Sequence, residues 1–466
     1  MNAHTKPKLL TNRLLKTGLM LLVSSIFWMG CQHSTAPIKD ADGTVFETNH
    51  IYSSVTCKAD TGISYALYLP EKYDGTTKFP VIFILDPHAD GKLPLTKYQN
   101  LANTYGYIFV GSNDIKNGLP ANYTWQLFQM MINDVRSRFQ IDPKRIYSAG
   151  FSGGAKLAMM FAAQMPDITG VIACGGSLPF TSDFTPTFYY VGIVGNQDFN
   201  YLETKQTFNV FDQWGYDYTA ITFNGIHEWP PVSSFDLAMC GLELNAMKTK
   251  RESVNKKWVD QVWNRLQDSI SEYAQTNRKI DQFEMNQQAV RWFTGLKPVT
   301  NLKKEAIQIE NNPDFISQVR KIQVLAQKEV KLRSEFVKAI GLRDLDWWKT
   351  ELMKFNLSSD LQTNLTMDRL KNYISMASYM LIKTDLDDAK LDDAIKKIQV
   401  YELVDPKNPD VYMMYARYYL LMEDTTDMID SYRKAKEVGF TNVEEYAKDA
   451  QWKDLLNQPD IKKLNE

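Results

Sequence analysis

A serine between glycines, in Gly150-Phe151-Ser152-Gly153-Gly154, is the stretch of this chain best suited to covalent chemistry. A serine hydroxyl becomes an effective nucleophile when it stands clear of its surroundings, beside a base and near donors for a developing negative charge. The G-x-S-x-G spacing favours this arrangement, because small residues two positions either side permit a sharp strand-to-helix turn. A strand-like run at 145–149 precedes the turn and an apolar helical run at 155–165 follows it. The pattern predicts Ser152 as a nucleophile.

A histidine is the usual base for such a serine, and the chain has 5 histidines. His4, His33 and His50 lie in the N-terminal segment, so only His88 and His227 can lie in the body of the domain that holds Ser152. His227 follows a strand-like run, in the kind of loop where sites of open α/β sheets are built. The inventory therefore favours His227, with an ordinary surface-loop histidine as the alternative interpretation.

The order of apolar segments around Ser152 predicts the fold. Alternating runs at 51–57 and 63–69 enclose a turn and indicate a hairpin. Continuous apolar runs typical of strands buried on both faces then alternate with helical segments as far as residue 248; they lie at 81–85, 107–111, 170–174, 187–194 and 219–223. This order predicts an α/β fold with a mostly parallel sheet and helices on both faces.

With these motifs in place, residues 51–248 resemble the α/β-hydrolase fold, near its esterase and polyhydroxybutyrate-depolymerase-like branch. The resemblance implies a catalytic triad in the chain order Ser, acid, His. It assigns the acid to Asp198, in the loop GNQDFN at 195–200, and the base to His227, in FNGIHEWP at 223–230. Three other acidic residues remain open as alternatives to Asp198: Glu203, Asp217 and Glu228.

The loop at 86–91 is where the resemblance implies a second oxyanion donor, beside the backbone N–H of Gly153. The family usually has His-Gly where this chain has Asp86-Pro87, and proline has no N–H. The donor is therefore predicted to be His88 or Ala89, with His88 favoured and its imidazole acting as a pocket wall. Further candidate walls are Phe180, Phe184, Trp229 and the loop at 113–123. Too few residues follow 177 for a lid.

The N-terminus has the pattern of an export signal. Four basic residues precede an apolar run at 17–30, which ends at Gly30-Cys31. This resembles a bacterial lipoprotein signal, and it implies a signal at 1–30, lipidation of Cys31 and a tether at 31–50. The expected location is the bacterial cell envelope, at the periplasmic face or the cell surface, with membrane contact through the anchor only. A plain secretory signal or an N-terminal anchor remains the alternative.

The composition changes after residue 249, where glycine becomes rare and helical periodicity dominates. Residues 249–374 are predicted to be helical. Residues 375–466 resemble tetratricopeptide repeats, because apolar residues recur 34 positions apart, as in Ala394 and Met428 or Tyr401 and Ala435. The predicted repeats are 375–408 and 409–442. Such a surface binds a peptide or protein partner, or it packs against the hydrolase and roofs the site.

The net charge of the chain and the spacing of its possible ligand residues limit the other functions that it could have. The formal net charge is −2 and no basic stripe carries interleaved aromatic residues, which disfavours nucleic-acid binding. No metal-ligand spacing or phosphate-binding loop is present, so no metal or cofactor is expected. The predicted function is a serine esterase that cleaves a carboxylic ester of a small molecule or polymer through an acyl-enzyme. The alternatives are a peptidase or thioesterase with the same triad, and an inactive surface-anchored binding protein.

Overall fold

The structure, a computed structural model, describes residues 38–180, 186–355, 358–441, 443–447 and 450–465. These residues belong to one compact unit. The predicted signal, Cys31, the start of the tether and Phe184 lie outside the described residues. Within the predicted tether, β1 (Ile38–Lys39) and β2 (Val45–Phe46) form a small antiparallel sheet, and Phe46 packs on Phe139. This part of the tether is folded, because Ile38 and Phe46 bury their side chains.

Eight strands of the described chain form one sheet, in the order β10-β9-β8-β7-β5-β6-β4-β3. Their bounds are β3 (Ile51–Thr56), β4 (Ser64–Tyr68), β5 (Phe79–Leu85), β6 (Ile108–Ser112), β7 (Ile141–Phe151), β8 (Ile168–Cys174), β9 (Tyr189–Gly195) and β10 (Tyr218–Phe223). The β3–β4 and β4–β6 pairs are antiparallel and the others are parallel. The predicted fold class is confirmed.

Helices cover both faces of this sheet, and the apolar strands are buried between them. These helices are α1 (Lys92–Tyr105), α2 (Ala121–Arg138), α3 (Gly153–Gln164), α4 (Tyr201–Trp214) and α5 (Val232–Lys248). The helices α1 and α5 pack on one face, whereas α2, α3 and α4 pack on the other. Since the strands are parallel, the loops after β7, β9 and β10 meet at the same edge of the sheet.

The chain after residue 248 is helical, and we call it the helical region. Its helices are α6 (Lys256–Gln275), α7 (Lys279–Phe293), α8 (Thr300–Glu310), α9 (Pro313–Ala339), α10 (Leu345–Met353), α11 (Leu361–Asp387), α12 (Leu391–Val404), α13 (Pro409–Leu421), α14 (Thr425–Glu437), α15 (Val443–Tyr446), α16 (Ala450–Leu456) and α17 (Pro459–Lys463). The predicted boundary at 248 falls between α5 and α6, whereas the one at 374 falls inside α11. The domain boundaries and the tetratricopeptide assignment stay predictions.

The helical region is joined to the sheet along its edge strand. On α7, Gln288 accepts a hydrogen bond from the backbone N–H of Ala220 at 2.9 Å, and Trp292 donates to Thr219 Oγ1 at 2.6 Å. These contacts cover β10, whose outer edge would otherwise offer unpaired backbone groups to another strand. Among the described residues, no helix combines the length and apolar character that crossing a membrane requires.

Candidate active site

Ser152 lies at the corner between β7 and α3, in a strained backbone conformation. Its φ is 54° and its ψ is −119°, a region that residues with a side chain rarely adopt. The flanking glycines permit the corner, because the neighbouring backbone leaves no room for a side chain. A Cβ on Gly150 would lie 2.3 Å from the carbonyl oxygen of Gly154, and one on Gly154 would lie 2.1 Å from that of Leu85. The corner therefore presents the Ser152 hydroxyl at the sheet edge.

His227 and Asp198 complete a hydrogen-bonded row with Ser152. The Nε2 atom of His227 lies 2.9 Å from Ser152 Oγ, and its Nδ1 atom lies 2.9 Å from each carboxylate oxygen of Asp198. A carboxylate can only accept, so Nδ1 carries the proton and Nε2 is left to accept the proton of the serine hydroxyl. The three side chains come from the loops after β7, β9 and β10. The structure thus brings together the three residues assigned as a triad.

The environment of Asp198 and His227 holds both side chains in place. The Asp198 side chain is 1% exposed, and its Oδ1 atom also accepts the backbone N–H of Asn200 at 2.7 Å. The rings of Phe199 and Phe151 flank the imidazole, with centroids 4.1 Å and 4.6 Å away. The imidazole therefore has little freedom to turn away from the serine.

The three alternative acids take other positions in the fold. Glu203 pairs with Lys156 at 3.1 Å and accepts the backbone N–H of Ser177. Asp217 pairs with Lys248 at 2.6 Å, and Glu228 is exposed to solvent. The structure gives none of them a hydrogen bond to His227, so Asp198 alone among these four acids is placed to orient the imidazole.

On the oxyanion side, Gly153 and His88 differ in the state of their backbone N–H groups. Gly153 is the first residue of α3, so its N–H has no acceptor within the helix. The N–H of His88 already donates to Asp86 Oδ1 at 2.8 Å, and that of Ala89 donates to Asp86 O at 3.1 Å. Asp86 thus competes for both predicted donors. The oxyanion role of His88 stays a prediction.

The candidate pocket walls divide between the cavity and the core. His88 lines the cavity at Ser152, and so does Asn117 from the loop at 113–123. Asn117 lies against the corner, since a Cβ on Gly153 would come within 1.9 Å of its side-chain oxygen. Trp229 and Phe180 pack into the core instead, and the indole N–H of Trp229 donates to Asp86 at 2.8 Å. The sequence indicates the loop at 113–123 but not Asn117 in particular, because a lone polar residue in a loop carries no signal.

The cavity at Ser152 has a volume of about 600 Å³, within the usual range for small-molecule sites. One wall comes from the sheet edge, and the other comes from α11, α12, α13, α15, α16 and the loop after α12. Of the two roles considered for the helical region, packing against the hydrolase and roofing its site is therefore the arrangement seen. The helices therefore cover this part of the sheet edge.

The helix α11 also contacts the loop that carries Asp198. The side-chain amide of Asn372 donates to the carbonyl oxygen of Gln197 at 2.8 Å, and Arg369 donates to that of Asn196 at 3.0 Å. Arg369 is itself held by a buried ion pair with Glu329, with an N–O distance of 2.8 Å. The helical region thereby fixes the backbone directly before the acid of the row.

The Asn372→Ala variant tests this contact. Loss of one neutral hydrogen bond to the acid loop should lower kcat on p-nitrophenyl acetate by about 2- to 10-fold, the range that one such bond accounts for. The thermal midpoint should barely change, because the residue is only half-buried. The control is Met380→Ala on the same helix, at an exposed position. An unchanged kcat in Asn372→Ala would mean that the contact of α11 with the loop carrying Asp198 does not contribute to catalysis.

No family model and no curated protein matches the chain. Solved structures similar to it include an S-formylglutathione hydrolase from Staphylococcus aureus, with 16% identity, a TM-score of 0.34, and coverage of 42% of this chain and 96% of that one. An esterase from Pyrobaculum calidifontis has 13% identity, a TM-score of 0.34 and coverage of 43% and 87%. Est1E from Butyrivibrio proteoclasticus has 15% identity, a TM-score of 0.33 and coverage of 42% and 99%. Likenesses at this level do not bear on activity.

The fold and the geometry of the site together define the fold class of this chain. An eight-stranded, mostly parallel sheet carries a strained serine corner after β7, and the acid and histidine follow on later loops. This is an α/β-hydrolase fold followed by a large helical region.

Proposed function

We propose that this protein is a serine hydrolase that cleaves a carboxylic ester through an acyl-enzyme. The single observation that carries the proposal is the continuous row from Ser152 Oγ through the imidazole of His227 to the Asp198 carboxylate, with both links at 2.9 Å. A serine, a base and an orienting acid in this geometry form the constellation that activates a hydroxyl for acyl transfer.

In the first half-reaction, Ser152 Oγ attacks the ester carbonyl carbon while its proton passes to His227 Nε2. The Asp198 carboxylate accepts the Nδ1 proton of His227 throughout and stabilises the imidazolium that forms. Collapse of the tetrahedral intermediate expels the alcohol, which takes the proton from Nε2. The acyl group remains bonded to Ser152 Oγ.

In the second half-reaction, His227 Nε2 removes a proton from a water molecule, which attacks the acyl carbonyl and forms a second tetrahedral intermediate. Its collapse breaks the bond to Ser152 Oγ, which takes the proton back from Nε2, and the carboxylic acid is released. The negative oxygen of both intermediates needs donors, and the N–H of Gly153 at the start of α3 is suited to this role. His88 would supply the second donor if its N–H left Asp86 Oδ1 or were shared with it.

That competing hydrogen bond favours a second candidate function, an inactive hydrolase-like protein that only binds its ligand. One oxyanion donor is worth about 10²- to 10³-fold in kcat, so its loss alone would slow a serine hydrolase severely. The two functions differ in whether Ser152 reacts.

Labelling with a fluorophosphonate probe decides between them. For a serine hydrolase we expect one covalent adduct per chain, mapped by mass spectrometry to Ser152, and hydrolysis of p-nitrophenyl acetate that persists in EDTA. A folded protein that forms no adduct and turns over no ester would be the binding protein instead. A panel of acyl esters, thioesters and dipeptide amides then separates the esterase from a thioesterase or peptidase.

We further propose that the protein works at the cell envelope, held by a lipid on Cys31. The support is the basic and apolar N-terminal pattern that ends at Gly30-Cys31. Metabolic labelling with an alkyne fatty acid should tag the wild type and not Cys31→Ser. Equal labelling of the wild type and Cys31→Ser would contradict the proposal.

A further inference from the structure

The helical wall of the active-site cavity has its own chemistry, distinct from that of the sheet edge. Two carboxylates, Asp405 and Asp410, line this wall together with the aromatic side chains of Tyr401, Tyr446 and Trp452. Asp405 follows α12 and Asp410 lies in the first turn of α13. Nothing in the triad chemistry requires acidic groups there.

Each carboxylate is held by neutral donors at one oxygen only. Asp405 Oδ2 accepts from the hydroxyl of Ser375 at 2.7 Å and from the amide of Asn408 at 3.0 Å. Asp410 Oδ1 accepts from the hydroxyl of Tyr446. The structure gives Asp405 Oδ1 and Asp410 Oδ2 no hydrogen bond to any described residue. Both groups are therefore fixed in place, and each has one oxygen that accepts from no described residue.

Few basic side chains surround these carboxylates among the described residues that line the cavity. None of those residues is lysine or arginine, and the basic side chains among them are His88, which interacts with Asp410, and His227. Burial raises the pKa of Asp410 above its usual value, although the hydroxyl of Tyr446 and the nearby imidazole of His88 act in the opposite direction. A negatively charged substrate would be repelled from this wall, whereas a positive group would complete it.

A metal ion does not fit these observations. The described residues contain no group of three or more His, Cys, Asp and Glu side chains that could hold one. An organic cation does fit, because aromatic faces and carboxylates together recognise ammonium groups through cation–π attraction and charge-assisted hydrogen bonds.

We propose that the helical region supplies a substrate subsite for a positively charged group, an ammonium or a guanidinium, which is carried by the ester at the end remote from its carbonyl. Asp405, Asp410 and the aromatic side chains beside them bind this group while the carbonyl lies at Ser152. The proposal rests on the proposed serine hydrolase activity, and it names the substrate class of that same site.

Two matched esters test the charge preference. The cationic one is p-nitrophenyl 4-(trimethylammonio)butanoate, and its neutral isostere is p-nitrophenyl 5,5-dimethylhexanoate, in which carbon replaces the charged nitrogen. Each ester is made with two to six methylene groups between its carbonyl and its terminal group. At each length, two further esters carry a terminal carboxylate or a terminal hydroxyl in place of the cation. We expect kcat/KM for the best cationic ester to exceed that of its isostere by roughly 10- to 100-fold.

The variants Asp405→Asn and Asp410→Asn remove the charge and keep an oxygen that can accept from Ser375, Asn408 or Tyr446. Each should lower the ratio of cationic to neutral kcat/KM by about 5-fold or more, and the double variant should bring it near one. Because the ratio is taken within each variant, a general change in activity cancels from it. The matched control is Asp392→Asn, an exposed acid at the start of α12 outside the cavity, which should leave the ratio unchanged.

Competitive inhibition gives a reading that does not depend on ester length. Choline should inhibit p-nitrophenyl acetate hydrolysis at lower concentration than its neutral isostere, 3,3-dimethylbutan-1-ol. The proposal is overturned if the neutral, hydroxyl or carboxylate esters are preferred at every length, or if the cationic preference survives in the double variant. A protein that hydrolyses no ester at all, acetate included, contradicts the serine hydrolase itself.

Discussion

The Ser152→Ala variant is expected to lose ester turnover by at least about 10⁴-fold and to lose fluorophosphonate labelling altogether. The change removes the atom that forms the acyl-enzyme, and no other hydroxyl in the described part of the chain is hydrogen-bonded to His227 Nε2. Alanine at this corner keeps the Cβ that Ser152 already carries at its positive φ, so the strand-to-helix turn should persist. The measurements are kcat and kcat/KM on p-nitrophenyl acetate, with circular dichroism and thermal melting to verify folding.

Ser148→Ala is the matched control, because Ser148 lies on the same strand and its buried hydroxyl donates to a backbone carbonyl. It should keep labelling and turnover, at some expense of stability. The double variant of Ser152→Ala with His227→Ala should be no slower than Ser152→Ala, since members of a triad act as one unit. Full turnover in a folded Ser152→Ala protein would place the chemistry elsewhere.

The nucleophile and the base could be predicted from the sequence because their signals are local. The glycines around Ser152 are required by backbone contacts a few residues away, and His227 lies in a loop directly after a strand. Parallel strands then bring these loops to one edge, so the order of the elements alone predicted their proximity. Asp198 needed the family resemblance, because several acids lie at similar sequence distances from the histidine.

The sequence did not predict which residues of the helical region line the active-site cavity. Asn372 and Gln197, like Asp410 and Ser152, are far apart in sequence, and their proximity depends on how long helices pack. The 34-residue spacing indicated helix pairs and not the surface on which they dock. The oxyanion donor could not be predicted for a different reason. The backbone N–H of His88, which the resemblance assigned to the oxyanion, donates to the side chain of Asp86.

The second large effect is expected in Asp198→Asn, with kcat lowered by about 10⁴-fold and KM little changed. The asparagine has nearly the same shape and can still accept the N–H of Asn200. Its amide, however, donates where the carboxylate accepted, so the Nδ1 atom of His227 becomes an acceptor and the proton moves to Nε2. A protonated, neutral Nε2 cannot take the proton of Ser152, and the base is lost although the geometry survives.

Asp217→Asn is the control for this change, since Asp217 was an alternative acid by sequence and pairs with Lys248 instead. It should retain kcat within about 2-fold, as expected for a half-exposed ion pair. If Asp198→Asn kept most of the activity while Asp217→Asn lost it, the acid assignment would be wrong. The expected result is that Asp198→Asn loses activity and Asp217→Asn keeps it, which would mean that the Asp198 carboxylate sets the tautomer of His227. The contacts of α11 with the backbone at 196–197 would then have a function, because they hold this carboxylate in position beside Nδ1.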